Sequence, residues 1–277
     1  MKEGQWYPGN MARAEMSLRQ DIKIVDLVVE LLDARIPASS RNPSFPKLIG
    51  SKKHLILLHK ADRAEEEATD RWLSYFKDKG QPAMPFSVYN KLYLNNLLKY
   101  LGKEEGNIKR GRLKRPLRMI IAGIPNVGKS TMINYFVKKA VTRTGNQPGV
   151  TRGRQWIRIN PHLELLDTPG ILWPKINQGN IWPLAVVGAI PHSRVDIQQT
   201  ARKLLSYYIE KGREKNLFER YPGLEAGDAD TMLSKIGYLN GCILPEGRID
   251  YDRSAALVLR DFQSGVLGRA TFEYPAC

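Results

Sequence analysis

Gly123-Ile124-Pro125-Asn126-Val127-Gly128-Lys129-Ser130 decides how this chain is read, because it fits the pattern G-x-x-x-x-G-K-[ST]. Leu117 to Ala122, just before it, is a short apolar run that predicts a buried strand. Thr131 to Lys138, just after it, predicts an amphipathic helix with Met132, Ile133, Tyr135, Phe136 and Val137 as its apolar positions. Strand, glycine turn, helix is the arrangement a phosphate-binding loop needs. Backbone N–H groups from Asn126 through Val127 and Gly128 to Thr131, together with the positive end of the helix, point at phosphate oxygens. Lys129 can reach the outer phosphates, and the Ser130 hydroxyl can ligate Mg²⁺.

Upstream, Val25 to Leu32 predicts a first strand, an almost continuous apolar run of the kind buried on both faces of a parallel sheet. His54 to Leu58 predicts a second strand and Ala83 to Phe86 a third, with helices expected over 65–79 and 92–101. A further helix is expected over 11–21, capped by Asn10. Residues 102 to 116 carry six basic side chains around glycines and read as an exposed connector. Lys139 to Asn160 contains no carboxylate and reads as a basic mobile loop entering a strand at Gln155 to Ile159. That strand turns at Asn160-Pro161-His162 into Leu163 to Leu166. Beyond Trp173 the periodicity is helical, with helices expected over 195–211, 230–239 and 250–266. The expectation is an α/β chain: a doubly wound, mostly parallel phosphate-loop sheet over residues 1–175, then a small all-helical domain over 176–277.

Three more stretches narrow the chemistry. Asp167-Thr168-Pro169-Gly170 follows a strand, where Asp167 can hold Mg²⁺ through water and the Gly170 N–H can sense a γ-phosphate. Thr151, in the basic loop, can add a second hydroxyl to Mg²⁺. His59-Lys60-Ala61-Asp62 nearly matches N-K-x-D, in which the Asp carboxylate accepts two N–H bonds from the guanine edge and the Lys stem packs along the base. Ser87, at the end of the third strand, can supply a backbone contact to the guanine carbonyl. GTP and GDP are therefore expected ahead of ATP. The base-reading box precedes the phosphate loop, the reverse of the usual order. A sheet can accept this, since every ligand loop leaves the carboxyl ends of parallel strands and domain termini tend to lie close together.

The composition of the 277-residue chain is that of an ordinary soluble protein, and its net charge of +15 points to a polyanionic partner, most simply nucleic acid. No run of eighteen apolar residues and no apolar leader at Met1 to Trp6 is present, so no membrane is expected. Cys242 and Cys277 form neither a disulfide framework nor a metal set, which suits a reducing, cytoplasmic setting. Arg202, Lys203, Lys211, Arg213 and Lys215 give the helical region a basic stripe.

With Tyr7-Pro8-Gly9-Asn10-Met11, Asp33-Ala34-Arg35-Ile36-Pro37, Pro148-Gly149-Val150-Thr151 and the box order above, the chain resembles the circularly permuted GTPases of ribosome biogenesis. Arg260-Asp261-Phe262 and Leu267-Gly268-Arg269 extend the likeness nearly to the end. The resemblance implies a GTPase that needs Mg²⁺, binds ribosomal RNA of a maturing large subunit and is stimulated by the particle and by K⁺, with Asn126 as the K⁺-associated residue. The chain is expected to act as a monomer with the large-subunit precursor as its partner. Two positions depart from the family pattern. Asn10 stands where the family has a water-positioning His, and Ile171 offers no substitute, so slow hydrolysis without the particle is expected. His59 stands where the base box has Asn. A nucleotide-gated RNA-binding module with little hydrolysis is the alternative from another class, and a phosphate-loop kinase or ATPase is a third.

Overall fold

Leu27 to Asp33, strand β1, has every side chain buried. It is central: β2 (Lys53–His59) lies on one side and β4 (Leu117–Gly123) on the other, both parallel to it. An almost wholly apolar sequence is what such a strand needs, since helices cover both faces of a parallel sheet. Its internal charge, Glu30, is paired, with His54 Nε2 at 3.0 Å and Arg41 Nε at 3.5 Å. The computed structural model describes residues 8–109, 115–144, 156–166 and 181–276.

The sheet has six strands in the order β3-β2-β1-β4-β6-β5. Strand β3 (Ala83–Phe86) runs parallel to β2, and β6 (Leu163–Leu166) parallel to β4. Strand β5 (Trp156–Asn160) is antiparallel to β6, its hairpin partner. Five strands therefore end on one edge, and the segments beginning at Ala34, Lys60, Ser87 and Ile124 all leave from it. The fold class expected from the sequence is the one found.

Helices α1 (Pro8–Ile24), α2 (Pro37–Ser40), α3 (Phe45–Ile49), α4 (Glu66–Asp78), α5 (Lys91–Lys109) and α6 (Lys129–Thr144) complete this unit. Helix α4 buries Ala68, Trp72 and Phe76. Trp72 and Phe76 join Leu32, Ile56 and Leu58 in one cluster, each large side chain contributing about 1.5–3 kcal/mol by leaving water. Three helices run past their expected bounds. Helix α1 begins at Pro8, so Asn10, expected as its cap, lies inside the helix. Helix α5 runs on through Lys109, so the first half of the expected connector is helical: Leu94, Leu97, Leu101 and Glu104 keep one buried stripe across Gly102. Helix α6 runs to Thr144, six residues past its expected end. At the far end of the connector, Arg115 donates to both Asp26 carboxylate oxygens at 2.6 and 2.7 Å.

The chain divides into two compact units, Met1–Ile176 with Thr271–Cys277, and Asn177–Ala270. The second is helical: α7 (Trp182–Val186), α8 (Ile197–Glu210), α9 (Glu214–Arg220), α10 (Ala229–Leu239) and α11 (Tyr251–Ser264). Asp196, Asp228 and Asp250 cap α8, α10 and α11 by accepting from the third backbone N–H of each. Helices α10 and α11 pack so closely that a Cβ on Gly237 would come within 2.2 Å of Ser254 Oγ. Asp261 accepts from Tyr221 Oη at 3.0 Å and pairs with Arg220 Nε at 2.7 Å. Asp261 and Phe262 of the stretch Arg260-Asp261-Phe262 are thus buried in the interior of this unit. The last residues depart from the expected boundary: Thr271 to Tyr274 hydrogen-bond to residues of the first unit.

Candidate functional site

Along the edge where the parallel strands end, the first side chain is Asp33. It closes β1 with no solvent exposure. A carboxylate there survives only if paired. Arg35 Nε donates to Asp33 Oδ1 at 2.9 Å and its Nη2 to Oδ2 at 2.8 Å. Lys60 Nζ donates to the same Oδ2 at 3.0 Å. Burial alone would raise the Asp33 pKa, but the Arg35 guanidinium and then the Lys60 ammonium hold it well below the usual carboxylate range. Arg35 is fully buried in this pair, which makes it part of the scaffold.

Lys60 carries the link onward. Its Nζ also donates to the carbonyl of Asn126, inside the glycine loop, at 2.9 Å. Lys60 and Asn126 both adopt left-handed backbone, φ 60° and 56°, and among the described residues they are the non-glycine residues that do. Such conformations cost on the order of 1 kcal/mol each and persist where the surroundings fix them. Here one hydrogen bond joins the two strained residues.

His59 ends β2 beside them and is 3% exposed. Its Nδ1 accepts the Lys60 N–H at 2.8 Å, so the neutral ring carries its proton on Nε2. Burial and then the Lys60 ammonium lower its pKa to about 4, so the ring is neutral at pH 7. The imidazole lies on Gly128: a Cβ there would stand 2.4 Å from His59 Nε2, and the φ of 113° is itself one that glycine tolerates. The base-box residue that departs from Asn is thus packed against the loop.

In the loop, Lys129 is 7% exposed and its Nζ donates to the carbonyls of Gly123 at 2.8 Å and Ile124 at 2.7 Å. The lysine lies across the loop on atoms that an anionic oxygen could replace as partners. Ser130 and Thr131 are exposed in the first turn of α6, and Val127 is buried beneath the loop. Asp62 sits in a 3₁₀ turn, Ala61–Arg63, partly exposed, with Arg63 Nε 3.7 Å away. Ser87 follows β3, fully buried; its hydroxyl accepts from the Tyr89 N–H at 3.2 Å.

The structure therefore brings His59, Lys60, Asp62, Ser87, Asn126, Val127, Gly128, Lys129, Ser130 and Thr131 to one edge of the sheet. Asn10 falls in the first turn of α1, but its side chain, like Thr151, Asp167 and Gly170, lies outside the described residues. A phosphate chain suits what is described: a loop of turned-in backbone, a lysine on replaceable carbonyls, and the N-terminus of a sixteen-residue helix. For a divalent cation the described share is the Ser130 hydroxyl alone, and among the described residues no group of three or more His, Cys, Asp or Glu could hold a metal. A loop-ordering salt bridge at Arg35 is readable from the sequence; its extension from Asp33 through Lys60 to the glycine loop is not. The signal was a charged pair at the exit of a mostly apolar strand.

Of the basic stripe in the helical unit, Arg202 pairs with Asp230 at 2.5 Å and lies over the Tyr251 ring, Arg213 donates to the Arg269 carbonyl at 3.1 Å, and Lys215 pairs with Glu219. Lys203 and Lys211 are exposed. Among the described residues no helix is long and apolar enough to cross a membrane.

Residues 118–217 match the family model described as 50S ribosome-binding GTPase. Over 98% of the chain, and 94% of the relative, the sequence is 42% identical to ribosome biogenesis GTPase A of Bacillus cereus. Among solved structures, the GNP-bound YlqF from T. maritima superposes with a TM-score of 0.66 at 27% identity, covering 95% of this chain and 98% of that one. The GDP-bound form of that protein superposes with a TM-score of 0.64 at 26% identity, covering 94% and 99%.

Proposed function

The chain belongs to the ribosome biogenesis GTPase A family, and from that premise we propose that it binds and hydrolyses GTP while assisting maturation of the large ribosomal subunit through its RNA. The observation that carries the reading is the Asp33–Lys60–Asn126 link. It ties the segment bearing Asp62 to the glycine loop, so a base recognised at one and phosphates held at the other would belong to one ligand. The order of the boxes along the sheet supports a circularly permuted GTPase: the base box follows β2 and the phosphate loop follows β4, its neighbour across β1.

In this reading Asp62 accepts the two N–H donors of the guanine edge, which adenine lacks. Lys129 exchanges its loop carbonyls for phosphate oxygens, and the N–H groups from Asn126 to Thr131 take the remaining phosphate charge. Ser87 offers backbone to the guanine carbonyl. Ser130, with Thr151 and Asp167, would hold Mg²⁺, and Asn126 would hold K⁺; bound cations neutralise charge on the outer phosphates. Gly170 senses the γ-phosphate, and Asn10 orients the attacking water by hydrogen bonding without taking its proton. Basal turnover is accordingly slow, and the large subunit accelerates it. The site of action is the cytoplasm, and the acting species is a monomer.

GTP turnover measured with and without purified large subunits tests this. Stimulation of tenfold or more is expected, in line with what positioning of a nucleophile can contribute. No stimulation, with GTP still bound, would favour a nucleotide-gated RNA-binding module. Tighter binding of ATP than of GTP would refute the role given to Asp62.

A further inference from the structure

The chain leaves the helical unit at Ala270, and its next four residues belong to the first unit, outside any helix or strand. Every one of them is used. The Thr271 hydroxyl accepts the Glu65 N–H at 3.0 Å, and the Thr271 N–H donates to the Glu65 carboxylate at 3.3 Å. The Phe272 N–H donates to the carbonyl of Arg35 at 2.9 Å. The Glu273 carboxylate accepts both the N–H of Ser39, at 2.9 Å, and its hydroxyl. The Glu273 carbonyl accepts the indole N–H of Trp72 at 2.9 Å. The Tyr274 hydroxyl donates to Glu65 at 2.6 Å, and the Arg71 guanidinium lies over its ring.

These anchors fall on residues 35 to 39 after β1, on residue 65 after the base box, and on Arg71 and Trp72 of helix α4. Between them sit the groups that govern the glycine loop. The first segment contains Arg35, which grips Asp33, and leads directly into Ser40, whose hydroxyl accepts the Asp33 N–H at 3.0 Å. The second closes the run that begins at Lys60 and carries Asp62. Lys60 cannot hold the Asn126 carbonyl unless Asp33 stays where Arg35 and Ser40 keep it. A side chain that must be held to a fraction of an ångström needs a supporting layer of this kind.

We propose that Thr271 to Tyr274 is a positioning strap for the nucleotide loops: by clamping residues 35–39 to residue 65, it fixes Asp33, and through Lys60 the left-handed turn at Asn126. The inference rests on the reading of this edge as a guanine-nucleotide site. Glu273 is its central residue, because its carboxylate serves the segment after β1 and its carbonyl serves helix α4. It touches no ligand; it acts through Asp33 and Lys60.

The test uses the full chain and a fluorescent mant-GDP probe, with release followed by stopped flow. Glu273→Ala should speed release about tenfold, whereas Glu273→Gln, which keeps an acceptor oxygen for Ser39, should stay within about twofold of the parent. Lys60→Met should speed release more, and the double variant Lys60→Met/Glu273→Ala should be no faster than Lys60→Met alone, because the strap acts through that lysine. Unchanged release in Glu273→Ala, with only a lowered melting temperature, would reduce the strap to a stabilising contact. So would effects that add in the double variant. Hydrogen exchange read without nucleotide separates the two readings. Amides 34–41 and 60–66 should exchange faster in Glu273→Ala than in the parent, and equal protection overturns the strap. A parent chain that holds no mant-GDP overturns the nucleotide reading instead.

Discussion

His59 shows how one residue can differ from a motif and still serve its geometry. In place of an amide it brings a ring whose Nδ1 takes the Lys60 N–H and whose opposite edge rests on Gly128. That arrangement holds only while the ring is neutral, since protonated Nδ1 could no longer accept. The pKa is about 4 in the folded chain against about 6.5 unfolded. Between those values the unfolded chain binds a proton that the folded one refuses. Stability is therefore fully present above pH 6.5 and falls as pH drops toward 4. Between pH 7 and pH 5 this residue should account for a loss of about 2 kcal/mol. His59→Asn should lack that component, so the difference in unfolding free energy between parent and variant should shrink by that amount across the interval. A gap that stays constant from pH 7 to pH 5 would mean that His59 titrates normally.

At the scale of the elements, the meeting of β1 and β4 sets where the loop begins. Gly123 pairs with Leu31, and a Cβ on it would stand 2.6 Å from the Leu31 carbonyl oxygen and 3.1 Å from Val127. The obstacle is backbone in a fully buried strand, so it cannot turn aside. Gly123→Ala should cost at least about 2 kcal/mol and weaken mant-GDP binding, because the loop must start from a displaced strand end. Gly102→Ala is the contrasting case. That residue is helical with open space around it, and alanine should add about 0.5–1 kcal/mol. Thermal melts of both variants check the pair; equal effects would contradict it. The same two glycines show what sequence could and could not give. Strands β1 to β4, β6 and the hairpin turn were legible because each is a short apolar run bounded by turn residues. The phosphate loop and base box were legible as local spacings. Helix α5 beyond Leu101 was not, since Gly102 and Gly106 carry the signal of a linker, whereas the helix is continued there by Glu104, buried and paired with the exposed Lys53. The Asp33–Lys60–Asn126 link was hidden too. It needs β1 to lie between β2 and β4, a fact of topology, and the strap joins residues more than two hundred positions apart.

For the whole molecule the deciding quantity is charge. Forty-three basic side chains face twenty-eight acidic ones. Many of the basic groups are already engaged within the fold: Arg35 with Asp33, Arg115 with Asp26, Arg202 with Asp230. The stripe read from sequence in the helical unit therefore divides into structural and available members. Lys203 and Lys211, both exposed, are the ones the proposed RNA contact would use, whereas Arg202 spends its charge and its stacking surface on Asp230 and Tyr251. RNA held by such contacts releases counterions, and its affinity falls linearly on a log–log plot against salt, with a slope of about −0.7 to −0.9 per phosphate neutralised. With about five contacts, raising monovalent salt from about 100 to 300 mM should weaken binding of a fluorescent large-subunit RNA fragment on the order of 100-fold. The double variant Lys203→Ala/Lys211→Ala should flatten the slope by about 1.4–1.8 while leaving the melting temperature in place, because neither side chain supports the fold. Arg202→Ala should do the opposite, lowering the melting temperature and leaving the slope nearly intact. A salt slope near zero for the parent would remove RNA from the partners, since a surface this basic cannot bind a polyanion without displacing its ions.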